Sequence, residues 1–112
     1  MDLLSKKCVP CEGGVPPFSN EEIEKYLQEI KGWRVSDGRK IEKSFGFKNF
    51  REAMDFVNKV AALAEEENHH PDIQVSYNNV RLVVWTHAIG GLSENDFILA
   101  AKIDSIFKTK VY

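Results

Sequence analysis

All three histidines of the chain, His69, His70 and His87, fall inside one nineteen-residue window. Imidazole is the side chain that most readily exchanges a proton near neutrality, so three copies in one short segment point to proton transfer or ligand binding. Glu65 lies four residues before His69, which places its carboxylate beside that imidazole and able to orient it if a helix reaches that far. Glu66 and Glu67 extend the acidic run at a helix C-terminal end, where the dipole disfavours them, so a local purpose is expected of them. Zinc bound by three imidazoles and a carboxylate is the chief rival. Against it, adjacent histidines diverge on most backbones, and the helical HxxxH and HExxH spacings are absent. The bland alternative has one histidine capping a helix and the others exposed.

Bulk properties narrow the classes. A chain of 112 residues has room for one domain whose core needs no staples. Its 15 Lys and Arg nearly balance its 17 Asp and Glu, leaving no broad basic field and arguing against nucleic acid as a direct ligand. No low-complexity tract or solenoid repeat occurs. The segment Met1 to Lys7 lacks the apolar stretch of a signal peptide and no later run reaches membrane-spanning length, so a cytoplasmic location without a membrane partner is expected. Both cysteines sit in Cys8-Val9-Pro10-Cys11, ahead of a Gly- and Pro-rich stretch, which reads as an extended arm over residues 1–18 preceding a single domain over 19–112. A CxxC can serve redox chemistry or half a zinc site. The strand-to-helix context of the first and the two further ligands of the second are missing nearby, so two cytosolic thiols are the simpler reading.

The elements that must position the histidines follow from periodicity. Ser19 with Glu22 forms a capping box, and Ile23, Tyr26, Leu27 and Ile30 trace a helical stripe that ends before Gly32. Trp33 to Val35 and Ile41 to Phe47 read as an antiparallel hairpin around Asp37-Gly38. Asn49 opens a second helix with Phe50, Ala53, Met54, Val57, Val60, Ala61 and Ala64 on one stripe, and Pro71 sets its outer limit. Ile73, Val75 and Tyr77, then Val80, Leu82 and Val84, alternate as a second hairpin, and Ser93 with Asp96 begins a last helix. The expected fold is α+β, order α-β-β-α-β-β-α, with a four-stranded antiparallel sheet covered on one face by three helices.

If Asn78-Asn79 is the two-residue turn of the second hairpin, Val75 faces Leu82, Ile73 faces Val84, and by extension Pro71 faces Thr86 and His70 faces His87. The histidine clusters then converge on the sheet face that carries Gln74, Ser76 and Arg81. Pro71 could end the pairing early, so the arithmetic supports proximity alone.

The pattern Glu65-x-x-x-His69-His70-Pro71, Tyr77-Asn78-x-Val80, Thr86-His87 and Gly91-Leu92-Ser93-x-x-Asp96 resembles the pterin-4a-carbinolamine dehydratases in order and spacing. The likeness spans about residues 19 to 110, and the arm around Cys8 and Cys11 resembles the N-terminus of bacterial members. The resemblance implies dehydration of 4a-hydroxytetrahydropterin, the product left by an aromatic amino acid hydroxylase, to quinonoid dihydropterin and water, recycling a tetrahydrobiopterin-type cofactor. It implies a small-molecule pterin substrate, no metal or redox cofactor, and a homodimer or homotetramer. By the same resemblance His69 and His87 are the acid and base, Glu65 tunes or orients His69, and His70, Pro71, Thr86 and Asp96 help hold the pterin. Asp96 also reads as the third-position carboxylate beneath the Ser93 cap, and the two roles do not exclude each other.

One position departs from the pattern, since many members carry Trp two residues after the Pro where Ile73 stands here. Trp85 could supply aromatic surface nearby or fill an intersubunit contact. Two other classes remain open: a non-catalytic interaction protein, because animal members of the family also serve as dimerisation cofactors for a homeodomain transcription factor, and a pterin enzyme of molybdopterin metabolism.

Overall fold

The computed structural model describes residues 1–10 and 15–109, so Cys11, half of the expected thiol pair, lies outside the described residues. The elements run α1 Asn20–Leu27, β1 Arg34–Ser36, β2 Lys40–Gly46, α2 Phe50–Glu67, β3 Asp72–Ser76, β4 Asn79–Val84 and α3 Glu94–Thr109, with a 3-10 turn at His87–Ile89 before α3. The four strands form one antiparallel sheet in the order β1-β2-β4-β3, the α+β arrangement expected from the sequence. No helix among the described residues is long and apolar enough to cross a membrane.

The first two predicted helix starts are built as their sequences dictate. The Ser19 hydroxyl accepts the Glu22 N–H while the Glu22 carboxylate accepts the Ser19 N–H, and Asn49 accepts the Glu52 N–H. The apolar side of the sheet, with Ile41, Phe45, Val80, Leu82 and Val84, is fully buried against Phe56 and Val60 of α2 and Phe97 and Ile103 of α3. Phe45 packs tilted on Phe56 and Phe107 at centroid distances of 4.9 and 5.1 Å, geometry that suits the ring quadrupoles. The opposite face carries the only deeply buried ion of the sheet's central strands among the described residues. Glu42, 4% exposed, is held between Arg34 and Arg81 from the neighbouring strands. Those guanidinium groups keep its carboxyl below the usual range against the opposing pull of burial.

Two sequence expectations are corrected. The β3–β4 turn is Tyr77-Asn78, with Tyr77 left-handed at φ 50°, so Ser76 faces Asn79, Val75 faces Val80 and Ile73 faces Leu82. The register is thus shifted by two residues from the expected one. The reason lies in β2: Asn79 is taken up by pairing with Gly46, while Asn78 exchanges bonds with Phe47 through both its carbonyl and its side-chain amide. A shift of two keeps every side chain on its expected face, which is why the core assignment is unaffected. It removes the direct His70–His87 opposition, because β3 begins only at Asp72 and β4 ends at Val84.

The second correction concerns the end of α2. Asn68 caps it in the left-handed conformation at φ 52°, ψ 42°, a role that Asn fills at little steric cost. The chain turns away there, so Glu65 pairs with His70 rather than with His69.

Candidate active site

Two chain segments deliver the histidines to one end of the sheet. His69 and His70 follow the Asn68 cap of α2, and His87 opens the 3-10 turn just beyond β4. That turn is closed by a bridge in which Thr86 and Gly91 exchange backbone bonds, with the Thr86 N–H to Gly91 O contact at 2.8 Å. Gly90 caps the turn at φ 65°, a conformation that suits a residue without a Cβ. All three histidines line a cavity of about 550 Å³ together with Pro71, Trp85 and Thr86, so the expected convergence occurs without the expected pairing.

Each histidine is held by a different partner. His69 is largely buried and its Nε2 lies 2.6 Å from the fully buried Asp96 carboxylate. Because a carboxylate only accepts, that nitrogen carries the hydrogen, and Nδ1 is left as the atom able to take or give a proton. Asp96 is fixed in turn by the Thr86 hydroxyl at 2.8 Å and the Ser93 N–H at 2.9 Å. It serves at once as the helix-start carboxylate of α3 and as the residue that orients His69. It has no exposed surface and is not in the cavity wall, so it reaches a ligand only through the two cavity residues it holds, His69 and Thr86. Thr86 lines the cavity, but its hydroxyl is committed to Asp96.

His70 is half exposed and its Nε2 sits 2.5 Å from the exposed Glu65 carboxylate. A pair this open to water contributes little to stability, so its consequence is the placement of His70. His87 packs its ring on Trp85 at a centroid distance of 4.0 Å, and Lys40 places its ammonium 4.7 Å from the same indole. Trp85 thus provides aromatic surface inside the cavity wall. Among the described residues no three His, Cys, Asp or Glu side chains are arranged to hold a metal ion.

Sequence reasoning missed a second layer. The arm is bound to the domain, with Cys8, Val9 and Pro10 forming part of the cavity wall. The Cys8 N–H donates to Glu67 at 2.9 Å, and Asn95 both donates to the Val9 carbonyl and accepts the Val9 N–H, at 2.7 and 3.0 Å. Glu67 is buried and also accepts from Lys102 at 2.9 Å. Burial opposes its charge, but the Cys8 N–H and Lys102 outweigh that and hold the carboxyl below its usual range. The one available signal was the unfavourable placement of acidic residues at the end of α2.

An α+β domain with three imidazoles from two segments facing one cavity, one of them backed by a buried carboxylate, defines a small-molecule site competent in acid-base chemistry. The family model for pterin 4 alpha carbinolamine dehydratase matches residues 16–106, and the chain belongs to that family. Relatives from Rubrobacter xylanophilus and Nitrosomonas eutropha are 51% and 54% identical, covering 94% of this chain each and 98% and 93% of their own lengths. Both carry the provisional name pterin-4-alpha-carbinolamine dehydratase. Among solved structures, a transcriptional coactivator/pterin dehydratase from Brucella melitensis superposes with a TM-score of 0.76 at 35% identity, over 80% of this chain and 97% of that one. A pterin dehydratase-like protein described as a RuBisCO assembly factor in the alpha-carboxysome superposes with a TM-score of 0.58 at 25% identity, over 67% of this chain and 88% of that one.

Proposed function

We propose that this protein dehydrates 4a-hydroxytetrahydropterins. In that reaction the C4a–O bond breaks, the N5 proton is removed, a C4a=N5 double bond forms, and the hydroxyl leaves as water after taking a proton. No electrons are exchanged with a second reactant, so the chemistry asks only for a proton acceptor and a proton donor held across one small molecule. The observation that carries the reading is the His69–Asp96 pair in a cavity that also holds His87. With Nε2–H committed to Asp96, His69 takes the N5 proton at Nδ1, and the carboxylate compensates the positive charge the ring acquires, the logic of any carboxylate-oriented histidine base. His87, from the turn after β4, delivers the proton to the departing hydroxyl. His70, placed by Glu65, and Pro71 bind the pterin, and Trp85 adds aromatic surface to the cavity wall.

A non-catalytic assembly role, of the kind named for the carboxysome relative, is the second reading, and the shared fold is the observation in its favour. The dimer or tetramer that the resemblance implies belongs to the first reading, with β3 as an edge strand of the sheet available for pairing between copies. The deciding experiment is the formation of quinonoid dihydropterin from 4a-hydroxytetrahydropterin, followed optically. Acceleration by the wild-type protein above the spontaneous rate is expected. Binding of a dihydropterin without acceleration would overturn the catalytic reading in favour of the second.

A further inference from the structure

We infer that the N-terminal arm is a working wall of the pterin site, with Val9 and Pro10 as affinity-determining residues held in place by a latch of Asn95, Glu67 and Lys102. The inference rests on the cavity being the pterin site. It does not follow from the family match, which begins at residue 16, beyond these arm residues.

Four features support it. The Asn95 side chain pairs with Val9 as one peptide group pairs with another, giving and accepting one bond each, so the backbone at Val9 has a single defined position. Asn95 is 5% exposed and Glu67 6%, and a buried amide and a buried carboxylate need every such partner, since an unmet one forfeits its solvation. The latch residues also adjoin the catalytic candidates in sequence. Glu67 precedes His69 by two residues and Asn95 immediately precedes Asp96, so the rigid ends of α2 and α3 that place the His69–Asp96 pair also place the arm. Further out, Leu3 is buried at 4% exposure and Lys6 meets Glu94 at 2.9 Å, anchoring the arm on the other side of Cys8.

Cys8 fits the role of a structural thiol. Its Sγ lies 3.5 Å from the Asn95 carbonyl, and burial, followed by the nearby Glu67 charge, pushes the thiol up to about 12. It is therefore held protonated and poorly nucleophilic, and its alkylation reports whether the arm is seated.

The arm supplies surface rather than a proton-transfer group, so its release lowers binding and leaves the chemical step nearly unchanged. In the full-length protein, Asn95→Ala is expected to raise KM for 4a-hydroxytetrahydropterin, and the Kd of a dihydropterin measured by fluorescence titration, about tenfold. The expected change in kcat is less than about threefold. Iodoacetamide labelling at Cys8, located by peptide fragmentation, should accelerate in parallel. Val9→Gly, which keeps the backbone bonds, should weaken dihydropterin binding without speeding Cys8 labelling. Unchanged KM and Kd alongside faster Cys8 labelling would overturn the inference, because the arm would then be free with no effect on the ligand. A fall in kcat at constant KM would overturn it as well. Should the wild-type protein bind a dihydropterin but not dehydrate its substrate, the Kd and labelling arms still test the wall independently of the catalytic reading.

Discussion

Replacing Asp96 by Asn separates orientation from packing at the centre of the site. Asn keeps the shape, and its amide oxygen can still accept from the Thr86 hydroxyl and the Ser93 N–H, but its NH₂ then faces His69 Nε2. Two donors cannot pair, so His69 must move its hydrogen to Nδ1 and present the wrong tautomer to substrate. Bonds to a charged acceptor are worth about 1.5–3 kcal/mol and neutral ones about 0.5–1.5, so downgrading two of them costs roughly 2 kcal/mol. That is a ceiling, because the exchange also removes the desolvation penalty of a fully buried charge. At about 2.1 cal/mol/K of unfolding entropy per residue, 112 residues convert this ceiling into a Tm fall of roughly 8 °C. The expected catalytic loss is far larger. Acid-base assistance is worth about 10²- to 10⁴-fold, and the wrong tautomer of a carboxylate-oriented histidine costs up to about 10⁴. The assays are kcat for dehydration at 25 °C, a thermal melt, and dihydropterin Kd, which should change little. A kcat within about threefold of wild type, beside a lowered Tm, would refute the tautomer argument and leave Asp96 a purely structural residue.

Two further outcomes follow from the fold. Glu42 is held below its usual carboxyl range by Arg34 and Arg81, so its stabilising contribution is present above the unfolded value of 4.5 and is lost as pH falls through the lower folded value. Thermal melts of wild type and Glu42→Gln should therefore differ most at neutral pH and converge below pH 4.5, and a gap that persists undiminished in acid would contradict this. A Cβ at Gly91 would lie 2.6 Å from Pro17 Cβ, so Gly91→Ala must displace the Pro17 segment or open the Thr86–Gly91 bridge. The expected cost is about 1–3 kcal/mol in urea unfolding, and an unaltered midpoint would show that the segment yields freely.

The parts legible in the sequence were those governed by local rules. The Ser19–Glu22 box, the Asn49 cap and the alternation of Val80, Leu82 and Val84 depend on neighbours within a few residues, and each appears in the structure as its pattern requires. The β3–β4 turn was misplaced because Asn-Asn carries a strong local turn signal, while the actual turn at Tyr77-Asn78 is selected by Phe47 and Gly46, some thirty residues away in sequence. Glu65 pairs with His70 instead of the expected His69 for a comparable reason. A single left-handed residue, Asn68, rotates the chain after α2, and spacing rules for a continuous helix cannot register it. The arm latch was invisible to spacing altogether, since Asn95 and Val9 are 86 positions apart.

The most direct test of the central claim is the first-order dehydration rate of 4a-hydroxytetrahydropterin with saturating wild-type protein, His69→Ala and His87→Ala, each checked for folding by its thermal melt. The account predicts clear acceleration by wild type and a loss of about 10²- to 10⁴-fold in each variant with dihydropterin binding retained. Turnover in both variants equal to that of wild type would contradict it.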